Sequence, residues 1–481
     1  MAYLGLDLGT SGLRALLTDE TGSPIASAEA PCPTAHPASG WSEQDPADWI
    51  AALEAAIAAL RSEPAFRDIR GIAVSGHMHG AVLLDAADQP LRPCIMWNDT
   101  RAHAEASAMD ANPAFRAITG NIVFPGFTAP KLAWSQHHEP EVFTRIAKVL
   151  LPAAYLNLYF TGDHVSDLSD AAGTAWLDTG AGRWSEELLT AGGMRPNQMP
   201  RLTEGCAPAG TLRPALARKW GLGEVTVAGG AGDNAAAACG VGALAEGAGF
   251  LSLGTSGVIL IAREGYSPAP ETAVHTFRHA VPDRWIQMSV MLSATDSLNW
   301  LAALFSKTPK ALTAALGPDL AAPSPLTYLP YLSGERTPHN DAAARGAFLG
   351  LTRATDRREM TRAVLEGVAF GLRDGLEAIR ATGAAPATLF AVGGGAQSDY
   401  WLRLCATVLN VTLLRPKGGE FGAALGAARL AMTAATGKEP AAIMTPPEDC
   451  ETFAPDANLF PAYEAAYRRF RDAYPSARAN P

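Results

Sequence analysis

The pentapeptide LGTSG stands at Leu8–Gly12 and again at Leu253–Gly257, about half the chain apart. Each copy follows a short apolar run (YLGLD, then GFLS) and leads into another (LRALLT, then VILIA). Apolar runs on both sides of a Gly-rich turn predict a pair of strands. Their recurrence predicts a chain whose two halves begin in the same way. One difference stands out: Asp7 lies before the first copy, and Ser252 before the second.

The segments after each copy repeat one grammar. Residues 3–19 and the TDETGSPIASAEA that follows predict a β-meander, and RGIAVSG (70–76) a further strand. After WSEQDP, Trp49, Ile50, Leu53, Ile57 and Leu60 share one helix face, with Asp45 placed to cap it and Pro46 at its first position. AVLLDAADQPLRPCIMW (81–97) reads as a hairpin and RAHAEASAMD as a helix. VTVAGGAGDNAAAACGVGAL (225–244) reads as strand, glycine loop and helix, and TLFAVGGGAQSDYWLRLCATVLN (388–410) has the same order. Strands alternating with helices predict α/β layers, here in two similar domains facing a cleft. The expected division is 1–242 and 243–481.

At 481 residues the chain exceeds the usual size of one core, which agrees with two or three domains. Hydrophobic residues at 48% and charged residues at 18% are ordinary for a folded protein. A formal net charge of -10 argues against grip on nucleic acid or anionic lipid through a general positive field. The six cysteines have no CxxC pair and no metal-ligand spacing, so reduced thiols are expected. The first residues carry no basic stretch, and Asp7 interrupts their apolar run, so neither a signal peptide nor a membrane span is expected. The expectation is a soluble, cytoplasmic protein.

Hydroxyls and backbone N–H groups on a tight turn suit phosphate oxygens, and two such turns suit a polyphosphate, although either copy alone serves equally as an ordinary hairpin turn. Asp7, at a strand end beside the first turn, has the placement of a magnesium ligand. Asp233, where a glycine loop becomes a helix, reads as an N-cap, as a base that takes a proton from an attacking hydroxyl, or as both. In SGHMHG (75–80) two histidines would share a strand face; with no third ligand in view, His79 reads as a hydrogen-bond donor to a polar ligand or as a buried, satisfied histidine. Trp97, Asn98 and Asp99 would line a polar pocket or end a hairpin. GGGAQS (393–398) would let a flat ring approach the backbone.

Together, GLDLGTSG, GWSEQDP, SGHMHGA, LRPCIMWND, GFTAPKLAW, SDLSDAAGTAWLD, GDNAAAACGVG, LSLGTSGV, YLSGERTPHN and RGAFLGL closely resemble the FGGY family of carbohydrate kinases over nearly the whole chain. The match is nearest to its bacterial xylulose-phosphorylating branch. The resemblance implies two actin-like, ribonuclease-H-like ATPase domains with ATP in the cleft between them. It implies that Asp7 supports Mg2+, that Thr10, Ser11, Gly254 and Thr255 approach the phosphates, and that Gly394, Gly395 and Ala396 lie near the adenosine. Asp233 would be the general base. Met78 and His79 would contact the sugar, with Asn98 and Asn234 as further contacts, and the protein would be a homodimer. The expected reaction is ATP-dependent phosphorylation of D-xylulose to its 5-phosphate.

Two positions depart from the family pattern: His77 stands where glutamine is expected, and Asp296 where a small residue is. The first would alter a hydrogen bond near the sugar and add pH sensitivity; the second would be a surface change. A sister kinase acting on ribulose, another ketose, gluconate or glycerol is the alternative within enzymes. From a different class, the chain would be an actin-like module that uses ATP to drive lobe movement.

Overall fold

Around each LGTSG the alternating runs pair as antiparallel strands in a computed structural model that describes residues 1–417 and 422–478. The first sheet holds β1 (Ala2–Leu8), β2 (Gly12–Thr18), β3 (Pro24–Pro31), β4 (Ile69–Gly76), β5 (Pro208–Thr211), β6 (Thr226–Ala228) and β7 (Ala231–Gly232). Its order is β5-β6-β4-β1-β2-β3, with β7 also paired to β4. The second holds β8 (Gly249–Leu253), β9 (Gly257–Arg263), β10 (His275–Arg278), β11 (Trp285–Met291), β12 (Thr388–Val392), β13 (Thr412–Pro416) and β14 (Cys450–Phe453), in the order β10-β11-β9-β8-β12-β13-β14.

The two sheets share one plan. In each, a run of antiparallel strands ends on the strand before the LGTSG turn, two parallel strands continue from that strand, and an antiparallel strand closes the edge. The same strand plan therefore follows each copy of the repeated turn. The turns themselves close differently: Leu8 pairs with Leu13 in the first, but Leu253 pairs with Gly257 in the second, so the second loop is one residue shorter.

Helix α1 (Pro46–Leu60) lies on β2 and β3 and buries Trp49, Leu53, Ile57 and Leu60, with Ile50 at the margin. Asp45 caps it by accepting from Ala47 N–H at 2.9 Å. Helix α2 (Asp233–Gly240) leaves the first sheet. Helix α3 (Thr295–Leu304) follows β11, and α4 (Arg357–Arg380) covers β9 and β11. Helix α5 (Asp399–Leu409) follows the glycine loop after β12.

Helix α6 (Gly422–Thr436) comes late in the chain yet packs on β1, β4 and α2 of the first half. Small residues make this possible. A side chain at Gly426 would place its first carbon 1.7 Å from the Ala236 carbonyl, and one at Gly5 would meet the Ala424 carbonyl at 2.0 Å. Backbone-to-backbone contact of this kind ties the halves together beneath the cleft.

The segment 81–97 is not a simple hairpin. Val82–Leu84 pairs with Lys148–Leu150 and Cys94–Ile95 with Glu43–Gln44, and the two arms meet only through the isolated bridges Ala81–Ile95 and Leu84–Pro90. Partners distant in sequence displaced the local pairing. All six cysteines are free. Among the described residues no helix is long and apolar enough to cross a membrane.

Candidate active site

Asp7, Ser75 and Ala231 sit side by side on β1, β4 and β7. That register carries the first turn, the SGHMHG turn and the start of α2 to one end of the sheet. Ser75 Oγ donates to Asp7 Oδ1 at 3.3 Å. The Asp7 carboxyl is pushed up to about 6, chiefly by burial and then by the Asp233 carboxylate. Two acids close enough to disfavour joint ionisation suit a site that receives a cation.

Asp233 is the first residue of α2, and the cap is Gly232 instead. The N-cap reading is thereby corrected: one residue into the helix, the Asp233 side chain is released from capping. Its Oδ1 accepts from Asn234 N–H at 2.7 Å and from Asn234 Nδ2 at 2.9 Å. Burial raises its pKa and these two hydrogen bonds oppose the rise. The result is a carboxylate held in one orientation, its other oxygen without a hydrogen bond among the described residues.

Met78 fills the space that a side chain at Gly232 would take, its Cγ 2.8 Å from that position. The strand ends at Gly76, and His79 has a φ of 71°, so His77 and His79 do not share a face. His79 stacks on Phe127 with ring centroids 4.6 Å apart. Burial lowers it to about 3, so it is neutral and its Nδ1–H donates to the Gly173 carbonyl at 2.7 Å. Nε2 is then an acceptor, which corrects the expectation of a donor to ligand. Lys131 Nζ donates to the His79 and Gly126 carbonyls, both at 2.7 Å, and holds this turn in its left-handed shape.

His77 is turned away, edge-on to Trp49, and both of its ring nitrogens lack a partner. Burial, aided by the Lys131 charge, lowers it to about 3. It carries no charge near neutral pH, so the expected pH sensitivity near the sugar is absent. Asn98 is exposed and lines none of the three hollows around the LGTSG turns, while Asp99 is buried and structural, accepting from Ser42 N–H at 2.6 Å and from Arg101. Among the described residues no cluster of ligands for a metal such as zinc is present.

These three hollows neighbour one another, each sharing lining residues with the next. One of about 460 Å³ lies at the first turn, lined by Asp7, Gly9, Ser11 and Arg14. Arg14 also borders a second, of about 910 Å³, which reaches Gly393 and Gln397. Gln397 in turn borders a third, of about 820 Å³, lined by Gly254, Thr255, Asn299, Lys310, Gly394, Gly395 and Trp401. The hollows pass from a carboxylate and a hydroxyl at the first turn to glycine backbone and the Trp401 edge beyond the second, a polarity that suits a nucleotide.

The second turn is fixed from behind by the start of α3: the Gly254 carbonyl accepts from Thr295 N–H at 3.0 Å, and the Thr255 carbonyl from Ala294 N–H at 2.9 Å. Half-buried Asp296 lies in that same first turn of α3, so it is not the plain surface change expected. Gly393, with a φ of 89°, presses against the Leu253 backbone and leaves Gly394 open to the groove. Ala396 is buried, and its carbonyl accepts from Arg415 Nη1 at 2.9 Å. Thr10 faces Trp97 and does not line the hollows. Sequence reasoning missed Arg14, Asn299 and Lys310. For Arg14 a signal existed, since strands flanking a turn place it opposite Asp7.

Comparison with known proteins agrees with this geometry. The models for the N-terminal and C-terminal domains of the FGGY family of carbohydrate kinases match residues 2–240 and 249–435. A xylulose kinase of Escherichia coli (strain K12) is 46% identical over 476 residues, covering 98% of each chain. One of Klebsiella pneumoniae is 47% identical, covering 90% of each. A crystal structure described as a "xyloylose kinase" from Brucella ovis superposes with a TM-score of 0.98 at 55% identity, covering 99% of each chain. With both domain models matched and relatives this similar over nearly the whole chain, the chain belongs to the FGGY family of carbohydrate kinases, and it is a sugar kinase.

Proposed function

We propose that this kinase transfers the γ-phosphoryl group of ATP to D-xylulose, giving D-xylulose 5-phosphate. The observation that carries the mechanism is the placement of Asp7 and Asp233 at one end of the first sheet, between the groove and the Met78–His79 turn. The identity of the sugar is supported by the relatives named xylulose kinase.

Phosphoryl transfer through a loose transition state needs positioning and charge neutralisation more than reactive groups. Asp233 accepts the proton of the attacking hydroxyl, and Asn234 keeps its carboxylate aimed. His79 accepts a sugar hydroxyl at Nε2, Met78 packs on the carbon frame, and Asn98 offers its exposed amide. Ser11, Gly254 and Thr255 meet the phosphates; Gly394 and Gly395 let the adenosine approach, with Ala396 as the support behind them. The Asp7 carboxyl, with one long hydrogen bond from the described residues, fits magnesium, which when bound neutralises phosphate charge.

Release of ADP in a coupled assay with MgATP tests the reading, run on D-xylulose, D-ribulose, L-ribulose, gluconate, glycerol and no sugar. A dominant D-xylulose signal is expected. A larger signal with another sugar moves the substrate and keeps the mechanism, whereas sugar-independent ADP release favours an ATP-driven switch. A cytoplasmic homodimer belongs to the same reading; Trp300 and Leu304, exposed one turn apart on α3, supply apolar surface for it, and light scattering measures it.

A further inference from the structure

The segment YLSGERTPHN presents a cation, Arg336, on a loop held from two sides. Thr337 N–H donates to the Val290 carbonyl at 3.1 Å, and Thr337 Oγ1 donates to the Ala273 carbonyl at 2.9 Å. Glu335 Oε1 accepts from Leu292 N–H at 3.1 Å and from Arg336 N–H at 2.7 Å. From this fixed loop of the second half, the Arg336 guanidinium lies over the ring of Phe124 in the first half, 4.7 Å from its centroid.

That guanidinium has no ion pair and no hydrogen-bond acceptor among the described residues. Its neighbour Glu335 supplies little counter-charge near neutral pH, because burial pushes that carboxyl up to about 8. Rings from both halves surround the cation. Phe124 meets His275 edge-on at 5.1 Å and Phe127 at 5.7 Å, Phe127 carries the stacked His79, and His275 stacks on Phe277 at 5.3 Å. The three phenylalanines and His275 are buried, whereas His79 and Arg336 keep accessible surface. Burial lowers the pKa of both histidines, and the Arg336 charge beside them adds to the effect.

Two polar groups therefore border one opening in an apolar wall: a fork of N–H donors with no acceptor, and His79 Nε2, an acceptor with no donor among the described residues. The complement is a ligand that carries an oxygen acceptor close to a hydroxyl. A ketopentose closes its five-membered ring through O5, so the form that can be phosphorylated on O5 is the open chain, with its carbonyl free beside hydroxyls. We infer that Arg336 is a specificity-determining residue, whose guanidinium fork takes the carbonyl oxygen of the open-chain ketose while His79 Nε2 accepts a neighbouring hydroxyl. The inference rests on the reading of His79 as a sugar contact. A polyol puts a hydroxyl in place of the carbonyl, and its extra proton meets a cation that can only donate.

The test compares D-xylulose with xylitol and D-arabitol, the two polyols that reduction of its carbonyl gives, in wild type, Arg336→Met and Arg336→Lys. The ratio kcat/KM is read for each substrate by ADP release, and thermal melting confirms that each variant is folded. Wild type is expected to prefer D-xylulose roughly 100-fold or more. Arg336→Met is expected to lower kcat/KM for D-xylulose roughly 100-fold and for the polyols less than about tenfold, so that the preference shrinks. Arg336→Lys keeps the charge and loses the fork, and falls between the two; it carries the same comparison if Arg336→Met does not fold. Equal losses on all three substrates would mark Arg336 as a structural residue and overturn the inference, as would an unchanged D-xylulose value or a wild type that turns over the polyols equally well. A wild type that leaves D-xylulose untouched instead overturns the function proposed for the chain, and this inference falls with it.

Discussion

The side chain of Asn121 closes two hydrogen bonds on the backbone of Thr276: its Nδ2 donates to the carbonyl at 2.8 Å, and its Oδ1 accepts from the N–H at 2.9 Å. A single amide from the first half thus satisfies one residue of β10, the edge strand of the second sheet. Asn121→Ala leaves a buried donor and a buried acceptor without partners, at a cost of about 2–4 kcal/mol. Urea denaturation is expected to show the loss, and an unchanged midpoint would mean that water replaces the amide.

Gly426→Ala is expected to be among the most damaging single-carbon additions in the chain. In an isolated helix alanine would gain about 1 kcal/mol over glycine. Here the new carbon would lie 1.7 Å from the Ala236 carbonyl, so α6 and α2 must move apart and give up packed area. A loss of about 3 kcal/mol or more is expected from thermal melting, with lower activity because α2 begins at Asp233.

In the proposed role of base Asp233 must be ionised, and burial raises its pKa above the usual 3.8. The rate kcat/KM should therefore fall on the acid side of the pH profile, with an apparent pKa above that of an ordinary aspartate. Asp233→Asn keeps the shape and has no proton acceptor, so activity should drop by about 100-fold or more at every pH while ATP still binds. Wild-type turnover in that variant removes Asp233 from the mechanism.

His77 affects stability through the proton it refuses. Unfolded, it takes a proton below about 6.5; folded, it stays neutral down to about 3. Acid therefore favours the unfolded chain, and the stability tied to this group is present above 6.5 and lost as pH falls toward 3. Removing it by His77→Gln should leave stability near wild type at pH ~7.5 and make the variant relatively more stable by about 2 kcal/mol at pH ~5. Paired chemical melts at the two pH values measure the difference, and a constant gap would show that the His77 proton has no part in it.

The parts of this protein legible in the sequence are those with local causes. The LGTSG turns, the Asp45 cap and the strand, glycine loop and helix units followed from short patterns, and the structure holds them. The carboxyl pair was legible one residue at a time, as Asp7 and Asp233, but not as a pair. Their proximity depends on β4 lying between β1 and β7, a register that no local pattern encodes. The segment 81–97 was misread for the same reason, since its strands pair with residues far away in the chain. His77 and His79 diverged because one left-handed residue turns the chain after Gly76, and alternation cannot foresee that.

Helix α6 sets a schedule for biosynthesis. The face of the first sheet formed by β1 and β4 is complete at Gly76, but its covering helix begins only at Gly422. At a ribosomal rate of about 5–20 residues per second, that face waits for about 17–70 s before its own chain can shield it. During that interval the nascent first half presents an apolar surface to the crowded space around the ribosome. A chaperone that holds such surfaces would find its moment there, well before any sugar or nucleotide has a cleft to enter.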